Sequence, residues 1–187
     1  MERVRCFLAV DVDAPELRER LVNVQRDLEA LGCDLKLVEP ENIHVTLRFL
    51  GEVPRSLVDE VARALDKLSA EPFNLALKGL GAFPSPSRPR VVWVGVSEGA
   101  AELSELHRQV ESLLRPLGFR PEREEFTPHI TLARVKGARN LQGLARFIAE
   151  RSGLEVGSMR VEEVKLKRST LTPSGPIYSD IHVKKLG

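Results

Sequence analysis

HVTLRFLG, residues 44–51, and HITLARVK, residues 129–136, both place a histidine two residues before a threonine. Both stretches are rich in the β-branched and large apolar residues that favour strands. In a strand, residues i and i+2 face the same side and lie about 6.5 Å apart. The polar side chains that this spacing aligns are His44 with Thr46, and His129 with Thr131. Each motif therefore presents one imidazole and one hydroxyl on a common face.

The rest of the chain repeats around these two motifs. Apolar runs and apolar residues at helical spacing predict strand, helix, histidine strand and helix in each half, with further strands after the second helix. The histidines are 85 residues apart, and two other matched pairs are 86 apart: Gly32 with Gly118, and Gly51 with Gly137. This constant offset indicates an internal duplication. We expect a single bilobal domain (1–187) with pseudo-repeat halves of about 1–85 and 86–187, which meet near FPSPSRPR (83–90).

The composition narrows the possible classes of protein. Lys and Arg number 28 and Asp and Glu 27, so the net charge of +1 gives no global basic field. An anionic ligand must then be held by a local patch. No apolar run approaches the roughly 20 residues of a membrane span, and Cys6 and Cys33 form neither a disulfide framework nor a zinc pattern. We expect a cytoplasmic protein that does not bind membranes.

The paired residue types suit the chemistry of a phosphodiester. If the halves are related by a pseudo-two-fold axis, two imidazoles and two hydroxyls meet across one groove. Hydrolysis needs a base to deprotonate water and an acid to protonate the leaving oxygen, and histidine serves in either role near neutral pH. Threonine hydroxyls can donate to the non-bridging oxygens. Neither a metal ion nor a cofactor is needed for this chemistry.

Two plainer interpretations compete with this one. The repeat can be structural without catalysis, although two histidines with the same threonine at matched positions favour function. A metal site would need ligands such as Glu124 or Glu125 near His129, and His-x-Thr lacks the spacing of a zinc site. The remaining histidines, His107 and His182, lack the motif and are predicted to have no catalytic role.

The motif sequences resemble a known family. ENIHVTLRFLG (41–51) and FTPHITLAR (126–134), with the strands RCFLAVDV (5–12) and RVVWVGV (90–96), resemble the 2H phosphoesterase superfamily. The branch that is most similar is that of the RNA 2′,3′-cyclic phosphodiesterases, also called 2′-5′ RNA ligase-like proteins. The resemblance implies an α+β bilobal fold with two mainly antiparallel sheets around a central groove and helices outside. It also implies metal-free hydrolysis of RNA 2′,3′-cyclic phosphate ends to 2′-phosphate ends.

The resemblance also implies roles for the motif residues. His44 is then the general acid that protonates the departing O3′, and His129 is the general base that activates water. Thr46 and Thr131 hold the phosphate. Arg134 also matches a position of the family that contacts substrate, but its odd spacing from His129 requires a bulge or a strand end.

Other residues are expected to contact RNA beyond the phosphate. Phe7, and with less support Phe126, offer rings on which a base can stack. Arg48 is expected to bind substrate, and the cationic side chains of VKLKRS (164–169) are expected to supply local positive charge for the RNA backbone. The expected partner is RNA with a 2′,3′-cyclic phosphate end, such as a tRNA fragment, acted on by a monomer.

Three alternatives stay open for the function. Ligation through a 2′-5′ bond is the reverse reaction at the same site. A binding module for RNA or a nucleotide would keep the groove without turnover. A phosphodiesterase that acts on a small molecule would use the same motifs, because they contact the phosphate and not what is attached to it.

Overall fold

The computed structural model describes residues 2–187, so that Met1 of the expected domain lies outside the described residues. Nine strands are formed: β1 (Arg3–Asp11), β2 (Leu35–Leu37), β3 (His44–Pro54), β4 (Phe73–Ser85), β5 (Arg88–Val96), β6 (His129–Val135), β7 (Glu155–Val161), β8 (Glu163–Thr172) and β9 (Gly175–Lys185). Four α-helices are formed: α1 (Pro15–Glu29), α2 (Arg55–Leu65), α3 (Ala100–Leu114) and α4 (Leu141–Glu150). None of the helices in residues 2–187 combines the length and apolarity needed to cross a membrane.

All nine strands belong to one antiparallel sheet. Its order is β7-β4-β5-β6-β3-β1-β8-β9, and the short β2 pairs with β6 off this path. The order is symmetric about the β6–β3 boundary, where β5 mirrors β1, β4 mirrors β8 and β7 mirrors β9. The α+β fold is confirmed. The two sheets that we expected are continuous, because Val45 of β3 pairs with Ile130 of β6.

Helices of each half of the chain pack against strands of the other half. Helix α1 packs against β6 and β7 of the second half, and α3 packs against β3 of the first half. From α1, the buried amide of Gln25 donates to the carbonyl of Leu132 at 3.0 Å and to that of Val38 at 2.8 Å. These bonds fix the middle of β6 to the first helix. The two sequence halves are therefore interlocked.

The segment that we predicted as the boundary between halves, 83–90, has a more specific structure. It forms the end of β4, a short turn and the start of β5, which pair as neighbours in the sheet. We propose that the chain is a single bilobal domain built by duplication. The matched lengths of β1 and β5, nine residues each, and of α1 and α3, fifteen each, support this proposal.

The core forms between the sheet and the helices. Along β3 and β6 the residue that follows each histidine is fully buried: Val45 and Ile130 are each 0% exposed. The leucines that recur at helical spacing in α1 and α3 are buried against the same side of the sheet. The opposite side is left for polar side chains, and this concave side carries the candidate site.

A substitution of Leu132 in β6 tests how much the core beneath the site contributes to the free energy of unfolding. Leu132→Ala removes a side chain that is 0% exposed and leaves a cavity beneath the histidine motif. We expect it to lower the free energy of unfolding by about 2–5 kcal/mol, measured by guanidinium chloride denaturation. Leu171→Ala, at a leucine that is 65% exposed, should change it by less than about 0.5 kcal/mol. Equal losses in the two variants would contradict this packing.

Candidate active site

The two His-x-Thr motifs meet in one groove on the concave side of the sheet. The antiparallel pairing of Val45 with Ile130 directs the neighbouring residues of the two strands toward each other. All four predicted side chains line a groove of about 860 Å³. These side chains are His44, Thr46, His129 and Thr131. The structure thus brings together the residues that the sequence analysis selected for phosphate chemistry.

Backbone carbonyls fix the orientation of both imidazoles. Nδ1 of His44 lies 2.6 Å from the carbonyl oxygen of Asn42, and Nδ1 of His129 lies 2.7 Å from that of Thr127. A carbonyl oxygen only accepts, so each Nδ1 carries the proton and donates it. In the neutral ring, Nε2 is then the atom with a free lone pair. The two halves use the same device, a carbonyl two residues before the histidine.

The two Nε2 atoms differ in their surroundings. Nε2 of His44 lies 2.8 Å from Oγ1 of Thr46, which donates to it when the ring is neutral. Within residues 2–187, Nε2 of His129 has no hydrogen-bond partner. The lone pair of His129 is therefore available to a ligand, whereas that of His44 is already engaged.

His44 is surrounded by aromatic rings, and its burial favours the neutral form of the imidazole. Its ring centroid lies 5.1 Å from that of Phe7 and 5.5 Å from that of Tyr178. Burial lowers the pKa of His44 below its ordinary value, while the hydrogen bond to Asn42 and the charge of Asp11 oppose that effect. The charges of Lys167 and His129 add to the lowering. Without a bound anion, His44 is thus held toward its neutral form.

Phe7 supports His44 more than it offers a free face to a base. It lines the groove, but only 4% of its surface is exposed. Its ring is instead covered by His44 and by Tyr178, whose centroid is 4.9 Å away. Phe126 lies elsewhere, stacked on His107 at 4.3 Å, and so our expectation that it offers a platform for a base is corrected.

His129 is supported by a different aromatic pair. The ring of Phe83 lies 4.9 Å from it edge-on, and that of Trp93 lies 6.4 Å away. The indole lies against Gly81, where an added Cβ would overlap the ring. The glycine therefore provides the space that the indole occupies. Trp93 also pairs directly with Thr131 across β5 and β6.

A compact ionic cluster lies beside His44. Asp11, which pairs with His44 across β1 and β3, accepts hydrogen bonds from Nζ of Lys167 at 2.8 and 2.9 Å. Nζ of Lys165 lies 3.1 Å from Asp11 and 2.9 Å from Asp180. The two lysines are therefore neutralised by two carboxylates. This corrects the expectation that they supply free positive charge for the RNA backbone, and Arg168 of the same stretch faces Glu2 at 3.6 Å.

A bulge in β6 brings Arg134 to the groove. Trp93 of β5 pairs with Thr131 and Val92 pairs with Ala133, so Leu132 is the extra residue. The bulge reverses the alternation, and Arg134 is exposed and lines the groove with Thr131. The odd spacing of Arg134 from His129 required a bulge or a strand end, and β6 contains the bulge.

Arg48 lies outside the groove, which corrects the expectation that it binds substrate. Its Nε lies 2.5 Å from a carboxylate oxygen of Glu111 on α3, and its guanidinium also donates to the carbonyl of Arg120. Glu111, Glu122 and His107 form a cluster in which His107 lies 3.2 Å from Glu122. His107, which lacks the motif, therefore lies among the carboxylates of this cluster on the helix side of the sheet. Arg48 joins β3 to this cluster.

Sequence reasoning missed several residues of the site. Tyr178, the one tyrosine of the chain, and Trp93, the one tryptophan, belong to no repeated motif. Asn42 lies two residues before His44, and its side chain, which is buried, donates to the carbonyl of Pro176 at 2.9 Å. The one signal that the sequence offered for Asn42 was its position, two residues before the histidine of the first motif.

Known proteins are similar to this chain over most of its length. The model of the LigT-like phosphoesterases matches residues 10–93 and 94–178. An RNA 2′,3′-cyclic phosphodiesterase of Aeropyrum pernix is 48% identical, over 89% of this chain and 94% of that protein. One of Methanothermobacter thermautotrophicus is 46% identical, over 98% and 100%.

Solved structures agree in fold. The crystal structure of a Thermus thermophilus protein gives a TM-score of 0.83 at 28% identity and covers 97% of both chains. That of E. coli LigT complexed with 3′-AMP gives 0.81 at 26% identity and covers 99% of both. Together with the match of the family model to both halves, these findings show that the chain belongs to the LigT-like phosphoesterase family.

Proposed function

We propose that this protein hydrolyses the 2′,3′-cyclic phosphate end of RNA to a 2′-phosphate, with His44 as general acid and His129 as general base. The observation that carries the proposal is the meeting of both His-x-Thr motifs in one groove, each with its Nδ1 fixed by a carbonyl. Relatives at 46–48% identity that are named RNA 2′,3′-cyclic phosphodiesterases support the choice of substrate.

The proton transfers follow from the state of each Nε2. The lone pair of His129 takes a proton from water as the water oxygen attacks phosphorus. The P–O3′ bond breaks, and Nε2–H of His44 gives its proton to O3′, which leaves a 3′-hydroxyl and a 2′-phosphate. Each transfer contributes typically about 10²- to 10⁴-fold in rate.

The threonines serve the phosphate in this mechanism. When His44 is protonated, its Nε2 becomes a donor and no longer accepts from Thr46. The hydroxyl of Thr46 is then free to donate to a non-bridging oxygen, as is that of Thr131 on the other motif. Protonation of the acid and preparation of the phosphate site are thus one event.

The finer features of the function are proposals of the same kind. Because the leaving oxygen is protonated and the diester carries one negative charge, the mechanism needs neither metal nor cofactor. Both motifs come from one chain, so a monomer contains the whole site. We propose a monomeric cytoplasmic enzyme that acts on RNA ends such as those of tRNA fragments.

Single substitutions of the two histidines test the mechanism. His44→Ala and His129→Ala should each lower kcat by at least about 10²-fold on a short RNA that ends in a 2′,3′-cyclic phosphate, since each removes one proton transfer. The assay is run in excess EDTA, and the 2′- and 3′-phosphate products are resolved by chromatography.

A third histidine provides the matched control for this assay. His182 lies 2.6 Å from Asp66, outside the groove, and His182→Ala should keep kcat within about twofold of the wild type. Turnover that survives both groove substitutions would exclude the two-histidine mechanism. Binding of the RNA without any turnover by the wild type would favour the binding-module alternative.

The pH dependence tests whether the acid is a group whose pKa the bound anion raises, as proposed for His44. The acid must be protonated, so activity falls as pH rises through the pKa of His44. Burial lowers that pKa in the free enzyme, whereas a bound phosphodiester anion favours the protonated form and raises it. We therefore expect the alkaline limb of kcat to lie at higher pH than that of kcat/KM.

The measurement is a pair of pH–rate profiles with the cyclic-ended RNA, one at saturating and one at low substrate. His182→Ala should leave both profiles in place. Coincident alkaline limbs for kcat and kcat/KM would contradict the assignment of His44 as the acid, because they would show that bound anion does not change the protonation of that group.

A further inference from the structure

The groove carries positive charge that the rest of the molecule does not. The whole chain has a net charge of +1, yet the groove is lined by four cationic side chains and one carboxylate, Glu39. The four cations are Arg5, Lys36, Arg134 and Lys136. Other cations close to the motifs are neutralised: Lys165 and Lys167 by aspartates, and Arg48 by Glu111. The excess charge is therefore confined to the walls of the groove.

Three of these cations form a continuous strip. Lys36 of β2 pairs with Arg134 of β6 as direct neighbours across the strands, and Lys136 follows Arg134 by two residues. All three side chains are exposed, and in the part of the chain that the structure describes none has a carboxylate within salt-bridge distance. Lys36 makes one contact, from Nζ to the carbonyl of Ser174 at 3.3 Å. Like charges side by side repel, so the strip is stabilised only when an anion lies on it.

The dimensions of the strip exceed one phosphate group. Paired strands lie about 4.8 Å apart, and residues i and i+2 along a strand about 6.5 Å apart. The cyclic phosphate itself is placed between the histidines and threonines, so the strip must serve other anions of the same ligand. Nucleotides on the 5′ side of the cyclic end supply such anions at regular intervals.

We propose that the strip of Lys36, Arg134 and Lys136 binds the backbone phosphates upstream of the cyclic end, so that the enzyme prefers a longer strand to a cyclic mononucleotide. This inference rests on the proposed function. A cyclic mononucleotide fills only the histidine–threonine site, whereas a longer strand also places phosphates on the strip. The strip therefore determines how the affinity depends on the length of the strand, while the two motifs carry out the reaction.

The test compares two substrates with a double variant, Lys36→Gln with Lys136→Gln. The substrates are adenosine 2′,3′-cyclic phosphate and a five-nucleotide RNA with the same cyclic end. The variant should lower kcat/KM for the five-nucleotide RNA roughly 5- to 30-fold, from two exposed ion pairs of up to about 1 kcal/mol each. It should leave kcat/KM for the mononucleotide within about twofold.

The salt dependence gives a second readout. Each phosphate contact on a single strand contributes about 0.7 to the slope of log affinity against log salt. The double variant should therefore flatten the slope for the five-nucleotide RNA by about 1.4. The control variant Lys67→Gln with Lys185→Gln removes the same charge from exposed positions outside the groove, and it should leave both substrates and the slope unchanged.

A binding arm separates failure of this inference from failure of the proposed function. Fluorescence anisotropy is measured with the labelled five-nucleotide RNA on a His44→Ala, His129→Ala protein, with and without the two lysine substitutions. Weaker binding and a flatter salt slope in the lysine variant would support the strip even if the wild type hydrolyses neither substrate. Equal losses for both substrates, or unchanged binding of the five-nucleotide RNA, would overturn it.

Discussion

The pairing of Val45 with Ile130 is the contact on which the rest of the structure depends. It joins β3 to β6 and makes one sheet out of two sets of strands. Side chains alternate strictly along a strand, so burying these two residues turns the histidine and threonine on either side of each toward the opposite face. Because the pairing is antiparallel, each histidine is directed toward the threonine of the other motif. One buried contact thus accounts for a continuous sheet and for a four-residue site.

A matched pair of bulges then decides which further residues reach the groove. In β3 the partner of Ala9 is Thr46 and that of Leu8 is Arg48, so Leu47 is the extra residue, as Leu132 is in β6. Strict alternation would keep Arg48 on the face of the histidine. The bulge instead places it beside Leu8 on the helix side, and Phe49 turns to the groove. The bulge in β6 has the reverse effect, because it turns Arg134 toward the groove.

The local patterns of the sequence were sufficient for much of the fold and for the motif residues. Periodicity located the strands and helices, and the constant offset revealed the matched elements, because both are properties of neighbouring residues. Pattern alone did not predict that α1 packs on the second half, since Gln25 and Leu132 are 107 residues apart. For the same reason the aromatic partners of the histidines were missed: Tyr178 and Phe83 lie far from the motifs in the chain. A bulge leaves no mark in the spacing of apolar residues, which explains the correction at Arg48.

The surroundings of the two histidines differ because the strands beside them carry different residues at matched positions. Asp11 pairs with His44 where Gly95 pairs with His129, and Ala9 pairs with Thr46 where Trp93 pairs with Thr131. A symmetric site would give both imidazoles the same surroundings, and an acid and a base could not then be distinguished. On the side of His44 an aspartate takes the place of the glycine and an alanine that of the indole, and the aspartate belongs to a cluster of two lysines and two aspartates. Because these charges balance, they lock His44 in neither state. In the proposed mechanism the negative charge of the bound phosphate then favours the protonated form of His44. The ring of His129 lies instead beside Phe83 and Trp93.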